Sequence, residues 1–200
     1  MELLDIVDEN GIPTGEVVER KIAHSEGILH RTAHVWLLRR KENGVQILLQ
    51  KRSDNKDSFP DCFDISSAGH IPAGVDFKPS AIRELKEELG YVAEIEELIY
   101  VGTRRIKFKE IFHNELFIDN QVSRVYVLWC DLNEREFILQ QEEVSEVKWF
   151  DFDECYKGVK ENTIHHCIYV EELDLIRKLL GKDEIYDTNI ETKKENKIKT

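Results

Sequence analysis

No stretch of this sequence is long and apolar enough to cross a bilayer, and no apolar secretory segment stands near Met1. Neither a membrane span nor export is expected. Cysteine is sparse: Cys62, Cys130, Cys155 and Cys167 lie far apart and form no CxxC pair. That argues against a disulfide scaffold and against a zinc site built on thiolates, and it fits a reduced, cytoplasmic protein. Positive charge is also in short supply. Lys and Arg number 28 against 40 Asp and Glu, a formal net charge of −12. Non-specific binding to nucleic acid or to an anionic membrane surface is therefore disfavoured. A phosphorylated small molecule is not excluded, because metal ions offset repulsion locally. No internal repeat is visible.

What is present is enough for a core. The chain is 41% hydrophobic over 200 residues, which suits one domain. Residues 2–7 read as a strand, with turn signals at Asp8-Glu9-Asn10-Gly11 and Pro13-Thr14-Gly15, and residues 23–30 lead into the next strand. Residues 33–39 and 45–51 are β-rich runs around an Asn43-Gly44 hairpin turn. Further strands are expected at 91–101, 104–112, 121–131 and 144–150. Asp151 fits the cap of a short helix reaching Tyr156. The apolar spacing of Ile164, Ile168, Leu173, Ile176 and Leu180 predicts a helix over 163–180 packed on the sheet. Residues 182–200, rich in Lys, Glu, Asn and Thr, read as a disordered tail. The expected organisation is a single domain over 1–181, with an N-terminal extension at 1–29 and a core over about 30–165.

The most informative stretch is Gly69–Tyr91. Pro79 suits a first helical turn, and Gly90 suits a left-handed stop. Ile82, Leu85 and Leu89 fall on one helical face, with Glu84, Glu87 and Glu88 on the opposite one. Three carboxylates within one turn repel one another. They form either a solvated acidic face or a site for a hard cation, Mg²⁺ or Mn²⁺. Arg83 can pair with Glu87 at i+4, but one guanidinium does not balance three negative charges.

Gly69, Arg83, Glu84, Leu85, Glu87, Glu88, Gly90 and Tyr91 stand at the spacing of the Nudix box, and the chain resembles that family. One position departs: the box's first Glu is Val75 here, which puts the support of the loop in question. The resemblance implies an α/β/α sandwich around a mixed sheet, and hydrolysis of a nucleoside diphosphate linked to another moiety. It also implies that Gly69, through its carbonyl, and Glu84, Glu87 and Glu88 hold one to three divalent ions. Arg83 is expected to orient Glu87. A carboxylate is expected to take the proton of the attacking water: Glu84, or Glu115, Glu142 or Glu143 on later segments. Lys51 and Arg52 are candidates for the substrate phosphate, with a surface-strand role as the alternative. Trp36, Phe59, Phe63 and Tyr126 are aromatics available for a base, with core packing the default for Trp36 and Tyr126.

The opening DIVDENGIPTG, then AHSEGILHR, ILLQKRS and DISSAGH, resembles the Nudix branch that includes isopentenyl-diphosphate isomerases. In those enzymes a metal sits on histidines from three segments, and His24, His30 and His70 stand at the matching places. Asp119-Asn120-Gln121 replaces a Glu-x-Glu motif. The three histidines with Asp119 either bind a second, transition metal or are ordinary surface or hydrogen-bonded histidines. His34, His113, His165 and His166 fit no motif. The isomerase cysteine position is Ala68 and its second glutamate is Gln121. Neither alanine nor an amide moves protons near neutral pH. The expected activity is thus a metal-dependent pyrophosphohydrolase acting on a small, nucleotide-derived diphosphate. The alternatives are an isomerase of isopentenyl diphosphate and a catalytically weak nucleotide-binding module.

Overall fold

A computed structural model of the chain describes residues 2–56 and 58–181. The chain divides into two units, residues 1–168 and 169–200. In the first, β1 (Leu3–Val7) and β2 (Pro13–Glu19) pair antiparallel as a small separate sheet. A seven-residue helix, α1 (Arg20–Glu26), follows. The main sheet is built on β3 (His30–Lys41), β4 (Gly44–Arg52), β5 (Phe63–Asp64), β6 (Ser67–His70), β7 (Ile99–Phe112), β8 (Glu115–Trp129) and β9 (Val144–Asp151). Two longer helices, α2 (Phe77–Leu89) and α3 (Phe152–Lys160), complete the unit.

β3 organises the sheet. One edge pairs parallel with β8 from His30–Gln121 to Leu38–Trp129. The other edge is shared: Thr32–Val35 pair with β6, and Leu38–Lys41 with β4. The strand order β5-β4-β3-β8-β7 is thereby mixed, with β9 beside β4. Both faces are apolar, as expected for a sheet covered on two sides. Ala33, Val35 and Leu37 pack with Phe77, Ala81, Leu85 and Leu89 of α2 in one core cluster. The alternate residues Trp36, Leu38, Ile47 and Leu49 are also fully buried, on the opposite face. α3 packs against β4 and β9. A satellite cluster of Leu4, Val18 and Ala23, with Ile6 and Ile28, ties the N-terminal segment together.

The α/β/α class is as expected, while several boundaries differ. Pro13-Thr14-Gly15 opens β2 instead of a loop, because residues 13–19 find a partner in β1. Residues 91–98 are not a strand: Glu94 and Glu97 form a reciprocal capping box around a tight turn at Ile95–Glu97. β7 is one strand with an irregularity between Tyr100 and Gly102, not two strands. Asp151 does cap α3, accepting from the backbone of Asp153 and Glu154, and the helix runs on to Lys160.

The helix expected over 163–180 begins only at residue 170. Residues 163–168 are extended, because the backbone of His165 and Cys167 hydrogen-bonds to Phe63 on β5. Residues 170–181, in the second unit, are helical, with Leu173 and Ile176 buried. The tail expected at 182–200 lies outside the described residues.

Candidate active site and histidine cluster

Asp76 accepts from the backbone N–H of Phe77 and starts α2. Gly90 ends it at φ 63°, where its backbone N–H bonds to Leu85 and Lys86 carbonyls. Between these caps the three carboxylates do not share the solvent face. Glu88 is only 7% exposed. The Glu84 side chain is 15% exposed and that of Glu87 52%. The reason is the strand beside them. β6 lies against α2, so Glu84 and Glu88, one turn apart, point at its backbone. The Ala68 N–H donates to Glu88 Oε2 at 3.3 Å. Gly69 is crossed by Glu84 so closely that a Cβ there would fall 2.2 Å from the Glu84 carboxyl carbon. Only glycine fits.

Arg83 keeps the i+4 partner its spacing suggested only at longer range and holds a nearer one. Its Nη2 donates to Glu84 Oε1 at 2.5 Å and to the His70 carbonyl at 3.3 Å, whereas Glu87 stands 3.9 Å from Nη1. Burial pushes the Glu84 carboxyl up to about 7, even against the adjacent guanidinium. Burial pushes Glu88 to about 8. Once ionised, these are acceptor-only groups without enough positive charge beside them, and a hard divalent ion fits that donor set.

The loop in front of α2 gets its support from elsewhere in the chain. Asp5 on β1 accepts from Arg31 Nη2 at 2.7 Å and from the Gly74 N–H at 2.9 Å. The same Nη2 reaches the Val75 carbonyl at 2.9 Å. The Ala73 N–H donates to the Leu3 carbonyl. A buried Asp–Arg pair thus clamps the turn, and Val75 packs its side chain on the core. Its departure from the box leaves the loop supported.

The three histidines converge from three segments. His24 comes from α1, His30 opens β3 and His70 ends β6. Pairing of Thr32 with His70 and of His30 with Gln121 brings β6 and β8 to the same end of β3. His24 Nε2 lies 3.0 Å from His70 Nε2. One ligand atom from each of the three falls within 4.8 Å of the others. The His30 Nδ1–H donates to the Ile28 carbonyl at 2.8 Å, which leaves a lone pair on Nε2. That lone pair faces Asp119 Oδ1 at 3.9 Å, and His24 Nδ1 is also 3.9 Å from it. His24 Nδ1, His30 Nε2 and Asp119 Oδ1 are buried and have no hydrogen-bond partner. Facing acceptors without a donor suit a cation, and three imidazoles with one carboxylate suit a transition metal. Burial lowers the histidines, His24 to about 3 and His70 well below its ordinary value, and raises Asp119 to about 6. Of the alternative reading, surface exposure does not hold for His24 and His30, which are buried, whereas hydrogen bonding does, between His24 and His70 and from His30 to the Ile28 carbonyl.

The two phosphate candidates are committed elsewhere. Arg52 donates to the Ser58 and Phe59 carbonyls and to Asp64, so it shapes a loop. Lys51 pairs with Asp61 at 2.6 Å. The sequence reading missed Lys56, which pairs with Glu143, and Arg20, which pairs with Glu2 at 3.0 Å. Glu88 feels the charges of both Lys56 and Glu143, and Arg20 acts on Glu84 and on all three histidines. Their only sequence signal was position, four residues before His24 and four after Arg52. Of the base candidates, Glu115 and Glu142 are exposed, and Glu143 stands near Glu88. Trp36 and Tyr126 are core residues, and Phe63 packs on Phe150. His34 is buried beside Thr32, and His113 is exposed at the β7–β8 turn. His165 contacts Cys62, and His166 the Val159 carbonyl.

A capped helix laying two carboxylates along a glycine-bearing strand is the geometry of a Nudix site, and the comparisons agree. Residues 28–167 match the NUDIX domain, and the chain belongs to the Nudix hydrolase family, whose members act on nucleoside diphosphate derivatives and generally use divalent metal ions. An uncharacterised Nudix hydrolase of Clostridium acetobutylicum is 37% identical over 153 residues, 76% of this chain and 71% of that one. Nudix hydrolase 3 of Arabidopsis thaliana is 40% identical over 157 residues, 76% of this chain but only 20% of that longer protein. The isopentenyl-diphosphate Delta-isomerase of Aliivibrio fischeri is 27% identical over 161 residues, 80% of this chain and 86% of the isomerase. Among solved structures, a Deinococcus radiodurans protein aligns with a TM-score of 0.62 at 21% identity, covering 86% of this chain and 98% of that one. The NUDIX domain of Shewanella oneidensis NrtR, complexed with ADP ribose, aligns at 0.54 and 15% identity, covering 76% of this chain and 87% of that one. Among the described residues, no helix is long and apolar enough to cross a membrane.

Proposed function

We propose that this protein is a pyrophosphohydrolase dependent on Mg²⁺ or Mn²⁺ that cleaves the phosphoanhydride of a nucleoside diphosphate linked to a second moiety. The carrying observation is the placement of Glu84 and Glu88 against the β6 backbone, the half-buried Glu84 over Gly69 and the buried Glu88 on the Ala68 N–H. In this reading Glu84, Glu87, Glu88 and the Gly69 carbonyl hold the ions. When bound, such ions neutralise charge on the phosphates and make water a better nucleophile. Arg83 fixes Glu84. Glu143, whose charge acts on Glu88, is the base that takes the water proton once Lys56 releases it.

We further propose that His24, His30, His70 and Asp119 hold a second, transition-metal ion. The facing lone pairs of His30 Nε2 and Asp119 Oδ1 support this. The isomerase reading loses its proton donors at Ala68 and Gln121. The weak-module reading relied on Val75, and the Asp5–Arg31 clamp removes that ground.

The test is incubation with Mg²⁺ or Mn²⁺ and a panel of nucleotide sugars, dinucleoside polyphosphates, nucleoside diphosphates and isopentenyl diphosphate. Nucleotide release that vanishes in Glu87→Gln supports the hydrolase. Binding without turnover, or an allylic product from isopentenyl diphosphate, rejects it.

A further inference from the structure

The β7–β8 hairpin carries a row of phenylalanines that the hydrolytic reading leaves unused. In its register Phe108 stands opposite Asp119, Glu110 opposite Phe117, and Phe112 opposite Glu115. By the two-residue period of a strand, Phe108, Phe112, Phe117 and Asp119 share one face. Phe117 touches both other rings, with centroids 5.9 Å from Phe108 and 5.8 Å from Phe112. It also stacks on His24, with centroids 4.3 Å apart and planes 16° from parallel. The aromatic row therefore starts at the histidine cluster and runs away from it along the hairpin.

A fourth ring comes from another segment. Phe59, in the segment after β4, lies 5.0 Å from Phe112 and 5.7 Å from Phe108. Its φ of 47° is rare for a bulky residue. Such a conformation persists only where the surroundings impose it. Here Arg52 imposes it, donating to the carbonyls of Ser58 and Phe59 at 2.8 and 3.1 Å. All four rings are half-buried, so each keeps some surface open.

We propose that Phe59, Phe108, Phe112 and Phe117 form the subsite for the nucleobase of the substrate. This rests on reading the α2 carboxylates as the diphosphate site. Phenylalanine carries no donor or acceptor, so these rings take the face of a base and do not read its edges. Purines and pyrimidines are both admitted. The subsite selects against an organic half that lacks a flat ring.

Calorimetry with AMP, GMP, UMP, ribose 5-phosphate and butyl phosphate tests this on the full chain without turnover. Each nucleotide should bind about tenfold more tightly than ribose 5-phosphate, the scale of one stacked base. Phe112→Leu and Phe59→Ala should remove that advantage and leave ribose 5-phosphate binding unchanged, which also reports that the variants are folded. Nucleotides that bind no better than ribose 5-phosphate would overturn the subsite. So would AMP or GMP alone showing the advantage, or butyl phosphate binding best of all. A stacking advantage without hydrolysis of any nucleoside diphosphate derivative keeps the subsite and removes the hydrolase reading. Hydrolysis without the advantage does the reverse.

Discussion

Two clusters of ionisable groups meet at the Gly69–His70 peptide, and they are built in opposite ways. The carboxylates belong to one helix, and their relative placement is set by local geometry between Asp76 and Gly90. The histidine cluster draws on α1, β3, β6 and β8, and exists only when the main sheet has formed. Their electrostatics are opposed as well. Burial raises Glu84 and Glu88, so both are poor at holding negative charge without a cation. Burial lowers the histidines and keeps them neutral, with lone pairs available. One cluster suits a hard ion and the other a softer one, and the Gly69–His70 peptide carries both.

The sharpest way to break this comparison is to disable one cluster at a time. Glu88→Gln should lower kcat/KM by about a thousandfold, the scale of lost transition-state electrostatics. His30→Gln should cost far less. Equal losses, measured by steady-state kinetics, would mean that the clusters act as one centre. Next in size is the clamp beneath the carboxylates. Asp5→Ala leaves Arg31 buried without its partner and should destabilise the protein by about 3 kcal/mol in urea unfolding. An unchanged midpoint would show that the loop before α2 stands without β1.

Metal titration sharpens the contrast. His30→Gln should weaken Co²⁺ or Zn²⁺ binding by about a hundredfold, the upper end of losses around metal sites, and leave Mn²⁺ binding unaltered. Parallel loss of both ions in calorimetry would refute separate sites.

The smallest effect is on stability against pH in the metal-free protein. Glu88 has a folded pKa near 8, above its ordinary 4.5, so its contribution declines as pH rises through that window. His24 has a folded pKa near 3, below its ordinary 6.5, so its contribution declines as pH falls through that window. The two oppose each other between about 4.5 and 6.5. Outside that range the Glu88 and His24 contributions each change by roughly 2 kcal/mol over 1.5 pH units. Glu88→Gln should make the alkaline arm shallower, and His24→Asn the acid arm, to which the lowered His30 and His70 also contribute, in thermal melts. A profile unchanged by either substitution would contradict the burial argument.

What could be read from the sequence follows the same division. The α2 carboxylates and Gly90 were legible because helix geometry links residues three and four apart, and Gly69 through resemblance. The burial of Glu88 was not, because it depends on β6 lying alongside. The histidines were legible only through resemblance. No local rule brings residues 24, 30, 70 and 119 together; the parallel pairing of β3 with β8 does. Arg52 was misread for a related reason. Its charge suggested phosphate, yet its Nε and Nη2 serve the turn that carries Phe59 and its Nη1 pairs with Asp64 on β5. The substitute for the missing Glu at Val75 lies 70 residues upstream in Asp5, where no motif spacing extends.

The pairing of β8 with β3 starts at Gln121, while β7 and β8 stay paired back to Phe112 and Glu115. Everything before Gln121 is a two-stranded ribbon past the end of that ladder. Its root fixes Asp119, whereas its outer turns carry Phe112 and the His113–Asn114 bend. Residue pairs can therefore be gained or lost at the tip during divergence without shifting the inner ligand. Chemistry at the base of the ribbon and preference at its end are free to evolve on separate schedules.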